Sequence, residues 1–529
     1  MTEVNEIAVI GAGPAGLVAA NEFLHTARDG SSTITSPGTD IRLPADPAFS
    51  KITVFERNSD IGGVWYYSKK PDIKFPSGIS QYSHPKNITK TDAIPKDILE
   101  GKTLTYDQPY TVQAPINENN DGRSLWNKSA VYDSLFTNVP IKQMIFTSGS
   151  GIGYENDGPN NNPYYPFGEH KAVQDYLHKY AISNNLYKHI RFNTSVEKVY
   201  KENNSSRWKI VAKRSNEEGE SAWYTEEFDA VLVSNGKSNI PYFPKIKGLQ
   251  GYTTAHPDVV QHSKSLRNFK ILKDKKVLIV GSSISSIDLL QYFIPLTKET
   301  GISIDADNAD ALSNNVYKWV DDILQDKELK FTRHSKIVEF DGDTIVFANG
   351  ERREDFDKVI FATGYHIYSP FLDFPENRKL SGLYYPKSIN DITAPIHSVK
   401  NTFLDIFKLE DPTLAFQGIP PNAFFFVHAE SNAAVIAGVW SGAKLLPSRE
   451  EQEKIISNTV HAKHGRILYE EDSFELLGNF AKYYPRGRYD VLKSVSLNEL
   501  KSSKNVLKIL FYEFASGKFK NIVVQGSGN

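Results

Sequence analysis

A short β-branched run that ends in a glycine turn and opens into a helix occurs twice in this chain. No other feature limits the fold as much. The first copy reads Ile7-Ala-Val-Ile-Gly11-Ala12-Gly13-Pro14-Ala15-Gly16; the second reads Val277-Leu-Ile-Val-Gly281-Ser-Ser283-Ile-Ser285-Ser286-Ile-Asp288. Runs of this kind are strands buried on both faces of a parallel sheet. The first turn is a full G-x-G-x-x-G between a strand and a helix, the context that dinucleotide binding requires. Gly11 permits the tight turn, Gly13 lets the backbone approach a pyrophosphate, and Gly16 lets helix and strand pack closely. The amides at the helix start supply the anion site. In the second turn only Gly281 remains. Ser283 and Ser286 each add a Cβ where backbone approach should be closest. Their hydroxyls could bond phosphate, but the stretch also reads as a plain structural βα turn.

The pattern predicts an α/β fold with two Rossmann-like domains, the second inserted into a discontinuous first. The first is expected to cover 1–245 and 356–529, with polar insertions at about 28–50 and 66–130, and the second 246–355. Turn formers crowd the first insertion, from Asp29 to Pro47. The strand Ile52–Phe55 then ends on Glu56. A Rossmann acid normally lies about 20 residues past the glycines and takes the ribose hydroxyls. Glu56 lies farther on, and the insertion accounts for the excess. Pro241, Pro244 and Gly248 mark a linker, Lys336–Phe340 and Thr344–Phe347 a hairpin, and the strand from Lys358 a return to the first domain.

Composition narrows the chemistry. With 61 basic and 63 acidic residues the net charge is −2, so charge alone recruits neither nucleic acid nor an anionic membrane. No apolar run reaches the ~18 residues of a membrane span. A glycine turn directly after the first strand leaves no room for a cleavable signal, so a cytoplasmic protein is expected. There are no cysteines and two methionines. Thiolate metal sites, cysteine nucleophiles and the redox pair of a flavin disulfide reductase are thereby excluded, and no metal site is expected.

Three side chains stand out only in company. Asn138, between Thr137 and Pro140, reads locally as an Asx turn. Glu430 reads as a satisfied carboxylate near a helix start, and His262 by itself means nothing.

Taken in order, Gly11–Gly16, Gly62-Gly63-Val64-Trp65, Tyr132-Asp-Ser-Leu-Phe-Thr137-Asn138-Val139-Pro140, Phe167 ahead of the helix Val173–Leu177, His262-Ser263, Gly281–Asp288, Phe361-Ala-Thr-Gly-Tyr365, Ala429-Glu-Ser and Trp440-Ser-Gly span most of the chain. With these elements the chain resembles the flavin-containing monooxygenases, and among them the fungal, thiol-oxidising type. It departs from the family's F-x-G-x-x-x-H-x-x-x-Y/F, with His256, Asp258 and Leu266 at three positions and only His262 kept.

The resemblance implies FAD in the first domain, on Gly11, Ala12, Gly13, Pro14, Ala15 and Gly16. The ribose would lie on Glu56 and the ring near Gly63, Val64, Trp65, Thr137, Asn138 and Val139. It implies NADPH in the second domain, on Gly281, Ser283, Ser285, Ser286 and Asp288. Asp305 and Asp307, where an NADPH enzyme often carries arginine, leave NADH open. Reduced flavin would capture O₂ as a C4a-hydroperoxide, and a thiol, thioether or amine would then be oxygenated. Asn138 is the catalytic candidate, an amide that holds the oxygen without offering a proton. A Baeyer–Villiger monooxygenase, an uncoupled oxidase producing H₂O₂, and a flavin-binding scaffold without turnover stay open. So do a homodimer and a peripheral contact of Leu507–Phe514 with the endoplasmic reticulum membrane.

Overall fold

The structure is a computed structural model. It describes residues 3–38, 42–72, 85, 89, 94–99, 104–113, 126–149, 153–154, 162–202, 205–216, 219–304, 318–372, 395–419, 424–458 and 470–518. Much of the 66–130 insertion, part of the 28–50 insertion, and Asp305 and Asp307 lie outside the described residues.

Strand β1 (Glu6–Ile10) leads into helix α1 (Pro14–Leu24), followed by β2 (Lys51–Phe55), α2 (His170–Ser183), β3 (Ile190–Arg191) and β4 (Ala230–Val233). The second unit contains β5 (Val260–His262), β6 (Lys276–Val280), α3 (Ile284–Phe293), β7 (Glu299–Ser303), α4 (Lys318–Gln325), β8 (Thr332–His334) and β9 (Lys358–Phe361). The chain ends with β10 (Thr402–Phe403), β11 (Phe407–Lys408), β12 (Leu414–Phe416), α5 (Phe425–Trp440) and α6 (Leu497–Ala515), with shorter helices between the last two.

Two parallel sheets organise the molecule. The first has the order β10-β11-β12-β4-β1-β2-β3 and is parallel from β12 to β3, with Val9 opposite Val54 and Leu232. The second has the order β5-β9-β6-β7-β8 and is parallel throughout. In each sheet the strand before a glycine turn lies between the next strand of the chain and a later one, β1 between β2 and β4 and β6 between β7 and β9, so the strand order reverses there. Such sheets take ligands in the crevice at these carboxyl ends.

Strand Lys358–Phe361 corrects the sequence expectation. It does not rejoin the first sheet but lies between β5 and β6 of the second. The chain leaves through Ile240–Pro241 and comes back through Tyr365–His366, which pair antiparallel, and among the described residues it re-enters the first sheet at β10. An all-apolar run carries no address for its partners, because any parallel neighbour would bury it equally well.

Helix α1 is buried along almost its whole length, against α5. An Arg–carboxylate triad joins the two helices inside this packing. Arg488 donates to both oxygens of Glu22 on α1 and, at 2.8 Å, to Glu430 on α5, and all three side chains are fully buried. Glu430 also accepts bonds from Thr147 N, Thr147 Oγ1 and Ser148 N at 2.7–2.8 Å. It therefore cross-links three segments, a larger part than a helix-start carboxylate plays. Burial pushes the Glu22 carboxyl up, against the pull of Arg488. Arg488→Met should cost about 3–5 kcal/mol, because it leaves two buried carboxylates without their cation. Urea unfolding at pH 7.5 checks this, and a midpoint unchanged from the parent would contradict it.

Candidate functional site

The first glycine turn is built by backbone-on-backbone contact. Gly11 sits at φ 107°, and a Cβ there would lie 2.6 Å from Ser234 O. Its N–H donates to Phe55 O at 2.8 Å, joining the turn to the end of β2. A Cβ on Gly16 would lie 1.9 Å from Gly11 O, so no side chain fits at that position. Gly63, at φ 60°, lies against Gly13, where its Cβ would be 2.9 Å from Gly13 Cα, and Gly62 N donates to Ala12 O. The Gly62–Trp65 segment is thereby laid directly against the turn. Pro14 opens α1, and Gly13 caps it with no side chain, which leaves the first amides facing outward as an anion site.

Glu56 is buried at the end of β2. Its Oε2 accepts Ala12 N and its Oε1 accepts Asn58 N, each at 2.8 Å. Burial pushes this carboxyl up. It clamps the glycine turn, and the Asn58 side chain bonds it as well, which leaves lone-pair capacity for one further donor. Ser234 and Gln417 follow the strand ends of β4 and β12. Ser234 Oγ and Gln417 Oε1 are buried and bond none of the described residues. Buried polar atoms without partners are rare, and these two fit the polar edge of a large cofactor. Sequence reasoning missed both, although each directly follows a fully apolar strand.

The Asn138 loop is closed by its neighbour. Thr137 N donates to Gly168 O at 2.8 Å, Thr137 Oγ1 accepts from Gly168 N at 3.2 Å, and the same hydroxyl donates to Val139 O at 2.7 Å. Threonine thus makes the turn, and the Asn138 side chain is left exposed. Val139 and Trp65 both pack on the first core cluster, and helix α2, which begins just past Gly168, donates from Gln174 Nε2 to Ile61 O at 2.8 Å, so one helix borders the Asn138 loop and the segment that leads into Gly62–Trp65. Val64 is exposed beside Trp65.

The second turn repeats the first in backbone form. Gly281 sits at φ 119°, a Cβ there would lie 2.7 Å from Ala362 O, and Gly281 N donates to Ser303 O. Ser283 caps α3 from an extended conformation and is exposed, and Ser285 is half-buried. Ser286 stands where Gly16 stands in the first turn. It is fully buried, and its Oγ bonds none of the described residues. A hydroxyl buried without a partner beside a helix start fits a phosphate oxygen. Asp288, half-buried, accepts from Gln291, and burial pushes its carboxyl up to about 7.

Between the two turns lies a buried polar joint. His262 Nε2 faces Gly364 O at 3.1 Å, and Nδ1 accepts from Lys264 N at 3.1 Å. The second bond makes Nδ1 the acceptor, so Nε2 carries the proton. Lys264, without exposed surface, pairs with Asp72 at 2.7 Å, and burial pushes its amine down to about 8. Arg267 donates to Ser68 O and Ser129 O. These bonds hold the described ends of the polar insertion against the second unit. Only His262 was legible beforehand. Asp72, Lys264 and Arg267 belong to no motif in the sequence.

With this geometry in place, the comparisons with known proteins agree. Residues 117–304 and 323–483 match the family described as flavin-binding monooxygenase-like. The chain belongs to that family, and it is an oxidoreductase that works with FAD and NADPH. Among its relatives are the flavin-containing monooxygenase iboF of Amanita muscaria, 25% identical over 90% of this chain and 85% of the relative, and ustF2 of Aspergillus flavus, 24% identical over 91% and 90%. Among solved structures it is similar to S-allyl-L-cysteine S-oxygenase from Allium sativum, with a TM-score of 0.61, 22% identity, and coverage of 98% of this chain and 93% of that one. Tmm from Pelagibacter gives a TM-score of 0.63 at 20% identity, over 97% and 93%. Among the described residues no helix is long and apolar enough to cross a membrane.

Two outcomes follow from the site. Gly13→Val places a branched side chain between the turn and Gly63, so the purified protein should be colourless; a yellow protein with full FAD content would refute the first-turn assignment. His262 is held neutral, its pKa pushed down to about 3 by burial, so it contributes stability above the ordinary histidine range that is lost as pH falls from about 6.5 toward 3. His262→Asn should flatten that part of the melting temperature–pH curve; an unchanged slope would assign the acid lability elsewhere.

Proposed function

We propose that this protein is a monooxygenase of soft nucleophiles (thiols, thioethers and amines), with Asn138 as the residue that faces the reacting oxygen. The observation that carries this reading is the exposed Asn138 on a loop closed by Thr137 against Gly168, at the start of the helix that also ties Ile61 ahead of Gly62–Trp65. We assign FAD to the first sheet and NADPH to the second. The chemistry supplied by FAD when bound is acceptance of hydride from NADPH and activation of O₂. The residues of the chain bind and shield.

The amides after Gly13 hold the pyrophosphate, the remaining acceptor capacity of Glu56 takes a ribose hydroxyl, and Ser234 and Gln417 meet the polar edge of the cofactor. Ser283 and Ser286 serve the NADPH phosphates. A neutral amide at position 138 donates N–H and has no labile proton to release, which suits a site where proton leakage would discharge H₂O₂. The second turn's repetition of the first turn's backbone favours a coupled enzyme over an H₂O₂-producing oxidase. NADH as an alternative donor rests on Asp305 and Asp307, and a cofactor competition assay decides it.

Asn138→Ala should retain FAD and anaerobic bleaching by NADPH. S- or N-oxide yield should fall by roughly 100-fold, the size of losing one preorganised donor, with H₂O₂ in its place. Oxygen uptake and product analysis with a panel of thiols and amines measure both. Unchanged coupling would return Asn138 to a purely structural loop. A ketone converted to an ester would turn the reading to Baeyer–Villiger chemistry.

A further inference from the structure

Helix α6 follows the return to the first sheet in the chain, yet it packs on the second unit. Leu507, Leu510, Phe511 and Phe514 lie in one core cluster with Leu290 and Tyr292 of α3. Tyr512 donates to Asp326 at 2.7 Å and Lys508 pairs with Asp322 at 2.8 Å, which fastens α6 to α4 and the residue after it. The aromatic stretch considered above as a membrane contact is therefore turned inward.

Phe514 is the pivot of this packing. Its ring stacks on Phe136 (centroids 5.7 Å, planes 16°) and on Tyr164 (6.2 Å, 9°), and it meets Tyr292 edge-on at 5.1 Å and 70°. Phe136 also stacks on Tyr164 at 5.0 Å. Phe136 lies two residues before Asn138. Tyr292 ends the helix that the second glycine turn begins, and its hydroxyl donates to Ser134 O at 2.8 Å. The segment that carries Asn138 therefore touches the NADPH-side helix both directly and through Phe514.

We propose that Phe514 is a positioning residue. Through Phe136 it fixes the Asn138 loop relative to the second dinucleotide unit, so that helix α6 sets the coupling of NADPH oxidation to oxygen transfer. This inference rests on the role given to Asn138 above. An exposed side chain is placed only by its backbone, and this backbone is held by hydrogen bonds from His170 N to Leu135 O, Thr137 N to Gly168 O and Ile141 N to Pro166 O on one side and by the ring of Phe136 and the Tyr292 bond to Ser134 O on the side of the second unit. Stacked rings are directional, and their contribution exceeds that of the area they bury. Without Phe514 a ring-sized cavity opens beside Phe136, and core side chains relax into such a space only in part. Displacement of a reacting group by about 1 Å can cost on the order of 100-fold in rate.

The test uses the full-length holoenzyme as parent, Phe514→Ala, Asn138→Ala and the double variant, with Phe514→Tyr as the ring-keeping control. Two quantities are read: backbone hydrogen exchange in residues 132–140, and the fraction of consumed NADPH that appears as H₂O₂. Phe514→Ala should keep FAD and speed exchange in that segment about tenfold, the scale of a lost aromatic contact. Its H₂O₂ fraction should rise toward that of Asn138→Ala, the double variant should add nothing further, and Phe514→Tyr should restore both readings. Unchanged exchange at 132–140, or H₂O₂ effects that add in the double variant, would overturn the proposal. If Asn138→Ala alone leaves coupling untouched, the role of Asn138 falls, and the exchange reading still decides whether Phe514 holds the loop. Where the alanine variant does not fold, Phe514→Leu, which keeps apolar volume without the ring, is read in the same way.

Discussion

The contact of Gly16 with the carbonyl of Gly11 is the constraint on which the first half of the molecule rests. It sets how closely α1 approaches β1, and so where the free amides of the helix point. Gly63 against Gly13 and the carboxylate of Glu56 on Ala12 N hold the same turn from two other sides. The two glycine contacts are backbone on backbone and leave no room for a side chain, and the Glu56 carboxylate adds a clamp on the same turn. Behind the turn, α1 is locked to α5 by the Glu22–Arg488–Glu430 triad, a buried cluster in which the one arginine balances two carboxylates.

The two turns show how much of this geometry a dinucleotide site needs. Gly11 and Gly281 share a positive φ and the same close approach to a neighbouring strand's carbonyl. The third glycine is different. Gly16 has no room for a Cβ, whereas Ser286 fits and leaves a buried hydroxyl without a partner. Substitution in the second turn has exchanged close packing for a polar group, and the backbone path survives it.

Local pattern reached some features and not others. The strand–turn–helix units, the Thr137–Asn138 loop, the acid at Glu56 and the hairpin near 336–347 were legible because turn chemistry and strand period are local properties. Strand Lys358–Phe361 joins the second sheet and not the first, a choice that an apolar strand does not encode. The joint formed by Asp72, Lys264 and Arg267 was invisible for a related reason: its members are ordinary surface residue types until the fold removes water from them.

By itself the sequence determined the α/β class, the two glycine turns and the family they belong to, because these depend on steric demands that only certain residues meet at fixed spacing. Tertiary structure alone decided which sheet takes Lys358–Phe361, that His262 is a neutral tie to Gly364, and that the aromatic face of helix α6 packs on Phe136 and Tyr292. All three depend on partners distant in the chain. Burial and stacking act on whatever is adjacent in space, and adjacency over such separations is settled only when the whole chain has packed.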